Sequence, residues 1–326
     1  VPETEDPVTT LVRLLDKNMR VINDDGSLAK IYVSQQWYDR ELLKNYDGQA
    51  TVGLDHSEDN KIGFSGTARR RIGFARVNIW TTDKPEQGVT GRKMRDKMRA
   101  EINRIIREKR TKPNETLYYF AGVGQTTGTQ KAYHSASQNE LAPTSSSWTE
   151  LTNAEYEKIW YSDENRHSKS VNVDMQFALM FFRFKIDPDK KVVKKTILKF
   201  EGYGTGPGGN GVTVKVWNFT ASAWQNAATG TGGADEVITI TQTSDLTDFI
   251  NGDGYIYLLA RTTNPSDGVT PAVLYCDYSE CVITVEGITY CDIVSYRDED
   301  QVNVKPFIWR TEFTVKSWLF ENVSTT

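Results

Sequence analysis

Apolar and polar positions alternate most cleanly between residues 198 and 287. The runs 213–220, 254–262, 272–276 and 281–285 are rich in β-branched and aromatic residues and are separated by Gly, Asn, Asp and Ser. Period-two alternation bounded by turn formers predicts short strands, and several in succession predict a β-sandwich. The first hundred residues follow another rule. Val8, Leu11, Val12, Leu15 and Met19 recur at helical spacing behind Asp6 and Pro7. An acidic cap there accepts orphan amide hydrogens, and proline suits the first turn. A second helix is expected over 91–110, with an apolar stripe of Met94, Met98, Ile102, Ile105 and Ile106 and mostly Arg, Lys and Glu elsewhere. Such a stripe covers a sheet.

The strands expected for that sheet are 31–34, 50–54, 71–80 and 116–120, with a turn at 24–26. In the third, Ile72, Phe74, Val77 and Ile79 are apolar but the alternation breaks near Ala75, which predicts either a bulge or a shifted register. The Thr/Ser-rich stretch 126–147 reads as a long functional loop. Residues 171–184 form a long strand candidate. A comparable phrase returns at 302–315, each placing Val-Asn-Val ahead of aromatic strand residues. The layout expected is an α+β assembly domain over 1–187, a β-sandwich decoration domain over 188–289, and C-terminal strands over 290–326. Those last strands are candidates to complete the first sheet, which would make the sandwich an insertion.

A chain of 326 residues can bury two cores, and 38% hydrophobic against 25% charged residues suits a soluble protein. A net charge of −4 is mild and argues neither for a DNA-coating protein nor for a halophilic surface. Cys276, Cys281 and Cys291 are odd in number and lack a CxxC pair, so neither a full disulfide framework nor a structural zinc site is suggested. They are expected free and buried, with a Cys276–Cys281 bridge as the alternative if those residues lie on neighbouring strands. No apolar run reaches transmembrane length, and the first residues are unlike a signal peptide. Asn218 opens a formal glycosylation triplet within a strong strand, which argues against its use.

Signals of catalysis are weak. Gly122 to Gly128 lacks the spacing and the Gly-Lys-Ser/Thr of a phosphate loop, and the glycines from Gly202 to Gly211 precede no helix, so they are expected to shape a loop between strands. His56, His134 and His167 are far apart and outside any HExxH motif, and no GxSxG elbow exists. Asp245, Asp248 and Asp253 suit turns, with an oxygen-rich cation loop as the alternative. No catalytic residue, cofactor-binding residue or metal ligand is expected.

Two surface features remain. Arg69, Arg70, Arg71, Arg76, Arg92, Lys93, Arg95, Lys97, Arg99, Arg104, Arg107, Lys109 and Arg110 make a basic concentration that Asp96, Glu101 and Glu108 offset only in part. It reads as a solvated helix face with local pairs, an interface, or a channel wall that concentrates anions. Among the aromatics, Trp217 and Tyr257 are as well placed to fill the core as to face outward. Trp224, near a turn, is the candidate glycan contact.

The segments 197–203, 214–224 and 254–261 resemble jelly-roll modules of microbial and viral surface proteins, which bind sugars, decorate particles or brace a neighbour. The order of elements in the opening domain (6–15, strands through 76–80, then 91–98) is similar to that of the tail-terminator and tail-completion proteins of tailed viruses. This resemblance implies a homohexameric ring that caps the tail tube and joins it to the connector. It makes Arg76, Arg92, Arg95 and Arg99 candidates for an interface or for the wall of a DNA channel. The chain departs from the family in its greater length, the extra 126–147 stretch and the sandwich. The function expected is thus a structural virion protein of the tail or neck, assembled in the host cytoplasm. Its partners would be tail-tube and connector proteins, passing DNA held without sequence preference, and glycan, with no cofactor and no membrane. The alternatives are a non-catalytic carbohydrate-binding or host-adhesion protein, and a glycan-active enzyme.

Overall fold

The computed structural model describes residues 2–62, 68–84, 90–301, 303 and 305–322. In chain order its elements are α1 (Pro7–Asn18), β1 (Ile31–Ser34), α2 (Leu42–Asn45), β2 (Gly48–Ile62), β3 (Ala68–Thr82), α3 (Gly91–Glu108), β4 (Glu115–Tyr118), β5 (Lys131–Ser137), β6 (Thr149–Glu150), α4 (Asn153–Glu157), β7 (His167–Val171) and β8 (Phe177–Lys185). There follow β9 (Val193–Thr205), β10 (Val212–Asn218), β11 (Ala223–Gly230), β12 (Glu236–Gln242), α5 (Leu246–Phe249), β13 (Tyr255–Thr262), β14 (Ala272–Val285), β15 (Tyr290–Gln301) and β16 (Ile308–Asn322). They divide into two units: residues 1–3 with 117–285, and residues 4–116 with 286–326.

The second of these is the α+β unit. Its sheet has the order β1-β2-β3-β16-β15, with β1 parallel to β2 and the other pairings antiparallel. The Asp6 carboxylate accepts the Thr9 amide at 3.0 Å and so starts α1. Leu11, Leu14 and Leu15 of that helix join Met94, Met98, Ile102, Ile105 and Ile106 of α3 over one face of the sheet, where Ala50, Val52, Ala75, Val77, Ile79, Phe313 and Val315 meet them. The break near Ala75 has a specific cause. β3 pairs with β16 without interruption, while the β2 register slips between Leu54 and His56 opposite Ala75 and Phe74. The bulge is therefore on β2, and Phe74 leaves the core face to stack on His56 with ring centroids 4.4 Å apart.

The β-sandwich unit is made of two sheets around one apolar core. The first has the order β11-β10-β13-β8-β5-β6; in the second β12, β9, β14 and β4 follow one another and β7 also pairs with β14. Ala132, Met180, Phe182, Val214 and Leu258 from the first sheet pack with Leu198, Phe200, Leu274, Cys281 and Ile283 from the second. All three cysteines are free and buried. The expected boundary at residue 187 moves to 116/117. β5 and β8 are strands of the sandwich, because their inward side chains fill its core, and 126–147 is not one loop since β5 lies within it. The stretch 171–184 likewise holds the end of β7, a turn and most of β8. Of the phrase at 302–315, Val302 and Val304 lie outside the described residues. Gly202 and Gly204 belong to strand β9 and not to a loop: a Cβ on Gly202 would lie 2.1 Å from the Tyr275 carbonyl oxygen.

Candidate functional site

Alternation along the strands of the first sheet decides what faces outward from the sandwich. β8 sends Ala178, Met180, Phe182 and Phe184 into the core, so Phe177, Leu179, Phe181, Arg183 and Lys185 point the other way. β13 buries Ile256, Leu258 and Ala260 and turns Tyr255, Tyr257 and Arg261 outward; β10 buries Val212, Val214 and Val216 and turns Lys215 and Trp217 outward. Strand register brings these side chains together. Tyr133 stands opposite Phe181, Tyr257 opposite Arg183, and Trp217 opposite Trp224.

The result is a continuous aromatic surface. The Tyr133 and Phe181 rings stack at 5.4 Å with planes 20° apart, and Tyr257 meets Phe181 edge-on at 5.1 Å. Trp217 meets Trp224 edge-on at 5.0 Å, and Phe219 lies 5.0 Å from Tyr257. The Arg183 guanidinium sits 5.0 Å and the Lys185 ammonium 5.2 Å from the centre of the Tyr255 ring. Burial pushes the Tyr133 and Tyr257 phenols above their ordinary value, so both remain neutral donors at physiological pH.

Residues 138–148 form a strap across part of this face. The Glu140 carboxylate takes the Lys215 ammonium at 2.7 Å and the Arg261 guanidinium at 2.9 Å. The Leu141 carbonyl accepts the Trp224 indole N–H at 2.8 Å, and the Ala142 carbonyl accepts that of Trp148 at 3.0 Å. Trp148 then covers Phe181 with centroids 5.3 Å apart, which leaves Phe181 buried although it points away from the core. Trp217, Tyr257, Tyr255, Phe219 and Tyr133 stay half-buried.

These positions revise the sequence picture. Trp217 and Tyr257 face outward and are absent from the core, while Trp224 is half-buried in β11 with its polar handle already bonded to the strap. Alternation shows that two residues share a face; it does not show which face is solvated. Asp248 accepts the Thr220 hydroxyl at 2.8 Å, and Asp253 precedes β13 in a turn. The histidines that the sequence separates are brought together in one case: His134 Nδ1 lies 3.1 Å from His167 Nε2.

In the α+β unit the basic concentration is largely neutralised within the chain. Arg95 is buried and pairs with Asp96, Asp298 and Asp300; Arg99 pairs with Asp298 at 2.6 Å; Arg76 pairs with Asp55 at 2.5 Å. Lys93 and Lys97 share Asp24, whose carboxyl they hold down to about 2. Arg92 is exposed, its guanidinium 6.0 Å from the centre of the Trp309 ring. Local pairs within α3 contribute, Arg95 and Arg99 with Asp96 and Arg104 with Glu101 and Glu108, and acids from β15 and the 24–25 turn add partners that the helix sequence does not offer.

A family model described as "Uncharacterized protein, C-terminal domain" matches residues 127–285. No curated protein matches the chain. Among solved structures, the chain is similar to the xylan-binding module CBM15, at 13% identity over 52% of this chain and 97% of that one, with a TM-score of 0.30. It is similar to the enzymatically active domain of tailspike protein 4 from bacteriophage CBA120, at 9% identity over 52% and 19% of the two chains, with a TM-score of 0.23. It is similar to the family 11 carbohydrate-binding module of Clostridium thermocellum in complex with a mixed-linked tetrasaccharide, at 7% identity over 53% and 89%, with a TM-score of 0.22.

Proposed function

We propose that the chain is a non-catalytic carbohydrate-binding or surface-adhesion protein whose sandwich engages glycan on the outer face of its first sheet. One observation carries this reading: Tyr257, Trp217, Phe219 and Tyr133 form a half-solvated aromatic surface flanked by Arg183 and Lys185. A pyranose ring has an apolar C–H face and a rim of hydroxyls. Flat aromatic rings take the first and phenols, guanidinium and ammonium groups take the second, a division of labour common to ligand surfaces. The strap fixes the neighbouring rings, so little conformational freedom is lost on binding.

Titration calorimetry with soluble polysaccharides, preceded by a glycan array, tests this. Saturable binding should weaken by ~10-fold or more in Tyr257→Ala and in Trp217→Ala, the loss of one stacked ring. An array without signal, or affinity unchanged in both variants, would overturn the reading.

A second reading concerns the α+β unit. β15 is the edge strand of its sheet, twelve residues long, and carries Val294 and Tyr296 with more than half of each exposed. An unpaired edge of this length is a template for another strand. In this reading the unit assembles, and in its finest form it builds a homohexameric ring at the end of a virion tail or neck, in contact with tail-tube and connector proteins. Native mass by light scattering tests it: a closed oligomer lost in Tyr296→Lys supports assembly through this edge, and a persistent monomer opposes it.

A further inference from the structure

We infer that His134, His167 and Glu155 form a binding site for one divalent transition-metal ion of the zinc class, clipping the two sheets of the sandwich together. His134 lies on β5 of the first sheet, His167 on β7 of the second, and Glu155 in the short helix α4 between them. One donor atom from each residue lies within 4.8 Å of the other two. His134 Nδ1 and His167 Nε2 are 3.1 Å apart, and Glu155 Oε1 lies 3.9 Å from His134 Nδ1 and 3.7 Å from the other nitrogen of His167, Nδ1. Two ligands bound tetrahedrally to zinc at their usual bond lengths stand roughly 3.3 Å apart, so the histidine pair through His167 Nε2 already has that spacing, and the carboxylate, whose donor lies within 4.8 Å of both rings, closes on the ion by a side-chain rotation.

The carboxylate is held for the purpose. Glu155 Oε2 accepts the Thr152 amide at 2.8 Å and the Thr152 hydroxyl at 2.9 Å, which closes the cap of α4 and leaves Oε1 turned toward the rings. The rings are nearly parallel, 14° apart. Without an ion, one proton bridges the two nitrogens; an ion replaces it and adds the carboxylate as third ligand. Side-chain exposure falls from 28% at Glu155 through 17% at His134 to 3% at His167, which gives an entry path from solvent and a dry inner end. Burial also pushes His167 down to about 4 and lowers His134, so both rings are neutral near pH 7 and present lone pairs. Lys158 and Lys169 lie close enough to lower His167 and therefore oppose a cation. With two nitrogens and one oxygen as donors, zinc, copper and nickel are favoured over calcium and magnesium, which prefer all-oxygen sites.

The test uses the full chain, freed of any affinity tag and stripped with chelator. Calorimetry and elemental analysis should find one Zn²⁺ per chain, and Co²⁺ should give a visible d–d spectrum, while Ca²⁺ shows no comparable binding. His134→Gln should weaken Zn²⁺ binding by about 100-fold or more, a loss larger than the 10- to 100-fold typical of an outer partner. Glu155→Gln retains the amide oxygen for the α4 cap and should weaken binding by at least ~10-fold. Circular dichroism of both variants checks that the sandwich is folded. Absence of stoichiometric Zn²⁺ binding by the native chain, or binding unchanged in both folded variants, would overturn the proposal.

Discussion

His134 donates to or accepts from His167 across a 3.1 Å gap between Nδ1 and Nε2, although the two residues belong to different sheets of the sandwich. β7 pairs with β14 so that His167 stands opposite Cys276, and β5 pairs with β8 so that His134 stands opposite Met180. The imidazole contact is therefore a polar bridge at the margin of an otherwise apolar interior. A bridge of this kind is favourable only when both nitrogens are satisfied, which is why the pairing invites a shared proton or a shared ion.

The strap over the aromatic face depends on one carboxylate. Glu140→Ala removes the carboxylate that Lys215 and Arg261 share, and residues 138–148 lose an anchor. Tryptophan emission should shift to the red as Trp148 and Trp224 gain water, and glycan affinity should fall by about 10-fold as the rings lose their fixed positions. Fluorescence and calorimetry on the same preparation check both outcomes.

Arg13 and Glu5 form a buried ion pair, 7% and 6% exposed, with two contacts of 2.5 and 2.6 Å. Thr116 and Thr10 supply further hydrogen bonds to the pair. Arg13→Ala leaves a buried carboxylate without its counter-charge, and urea denaturation should show a loss of about 3 kcal/mol. Replacing both residues by apolar ones of similar volume should recover most of that loss.

Charge reversal separates structural arginines from surface ones. Arg95→Glu places a carboxylate beside Asp298 and Asp300 in a buried position, and thermal denaturation should show the α+β unit destabilised whatever the oligomeric state. Arg92→Glu changes an exposed side chain and should leave the melting temperature nearly unaltered. Arg92 and the exposed, ion-paired Arg76 are accordingly the informative positions for testing a DNA or assembly surface.

Acid stability should report on the same cluster. Burial alone would raise the Asp298 carboxyl, but the Thr311 hydroxyl with Arg95 and Arg99 outweighs it and holds the group below its ordinary value. The folded pKa is depressed, so the stabilisation is present above the unfolded value near ~4 and is lost as pH falls through the folded one, where the unfolded chain binds more protons. Asp298→Asn should flatten the acid limb of the stability profile below about pH 4. Equilibrium unfolding at a series of pH values checks it.

The two helices were legible because their information is local. The spacing of Leu11 and Leu15, and of Met94, Met98 and Ile102, fixes both the element and its buried side. Most strands were legible for the same reason. β5 was not, because its inward positions are Ala132, His134 and Ala136, too small or too polar to mark a strand against the outward Lys131, Tyr133 and Ser135. With β5 unseen, the strand expected at 171–184 had no visible neighbour in the sandwich and was given to the first domain, and the boundary moved by about seventy residues, from 187 to 116/117. The His134–His167 contact escaped for a different reason, since no motif encodes a contact between residues 33 positions apart on strands of different sheets.

By itself the sequence determined where helices and most strands form, that a sandwich is present, and that its aromatics share faces, since backbone periodicity is written in neighbouring residues. The tertiary structure decided which of those faces looks outward, which acids neutralise Arg95 and Arg99, and which histidines meet. Each of these depends on strand order and register between distant segments, which are set by how the whole core packs.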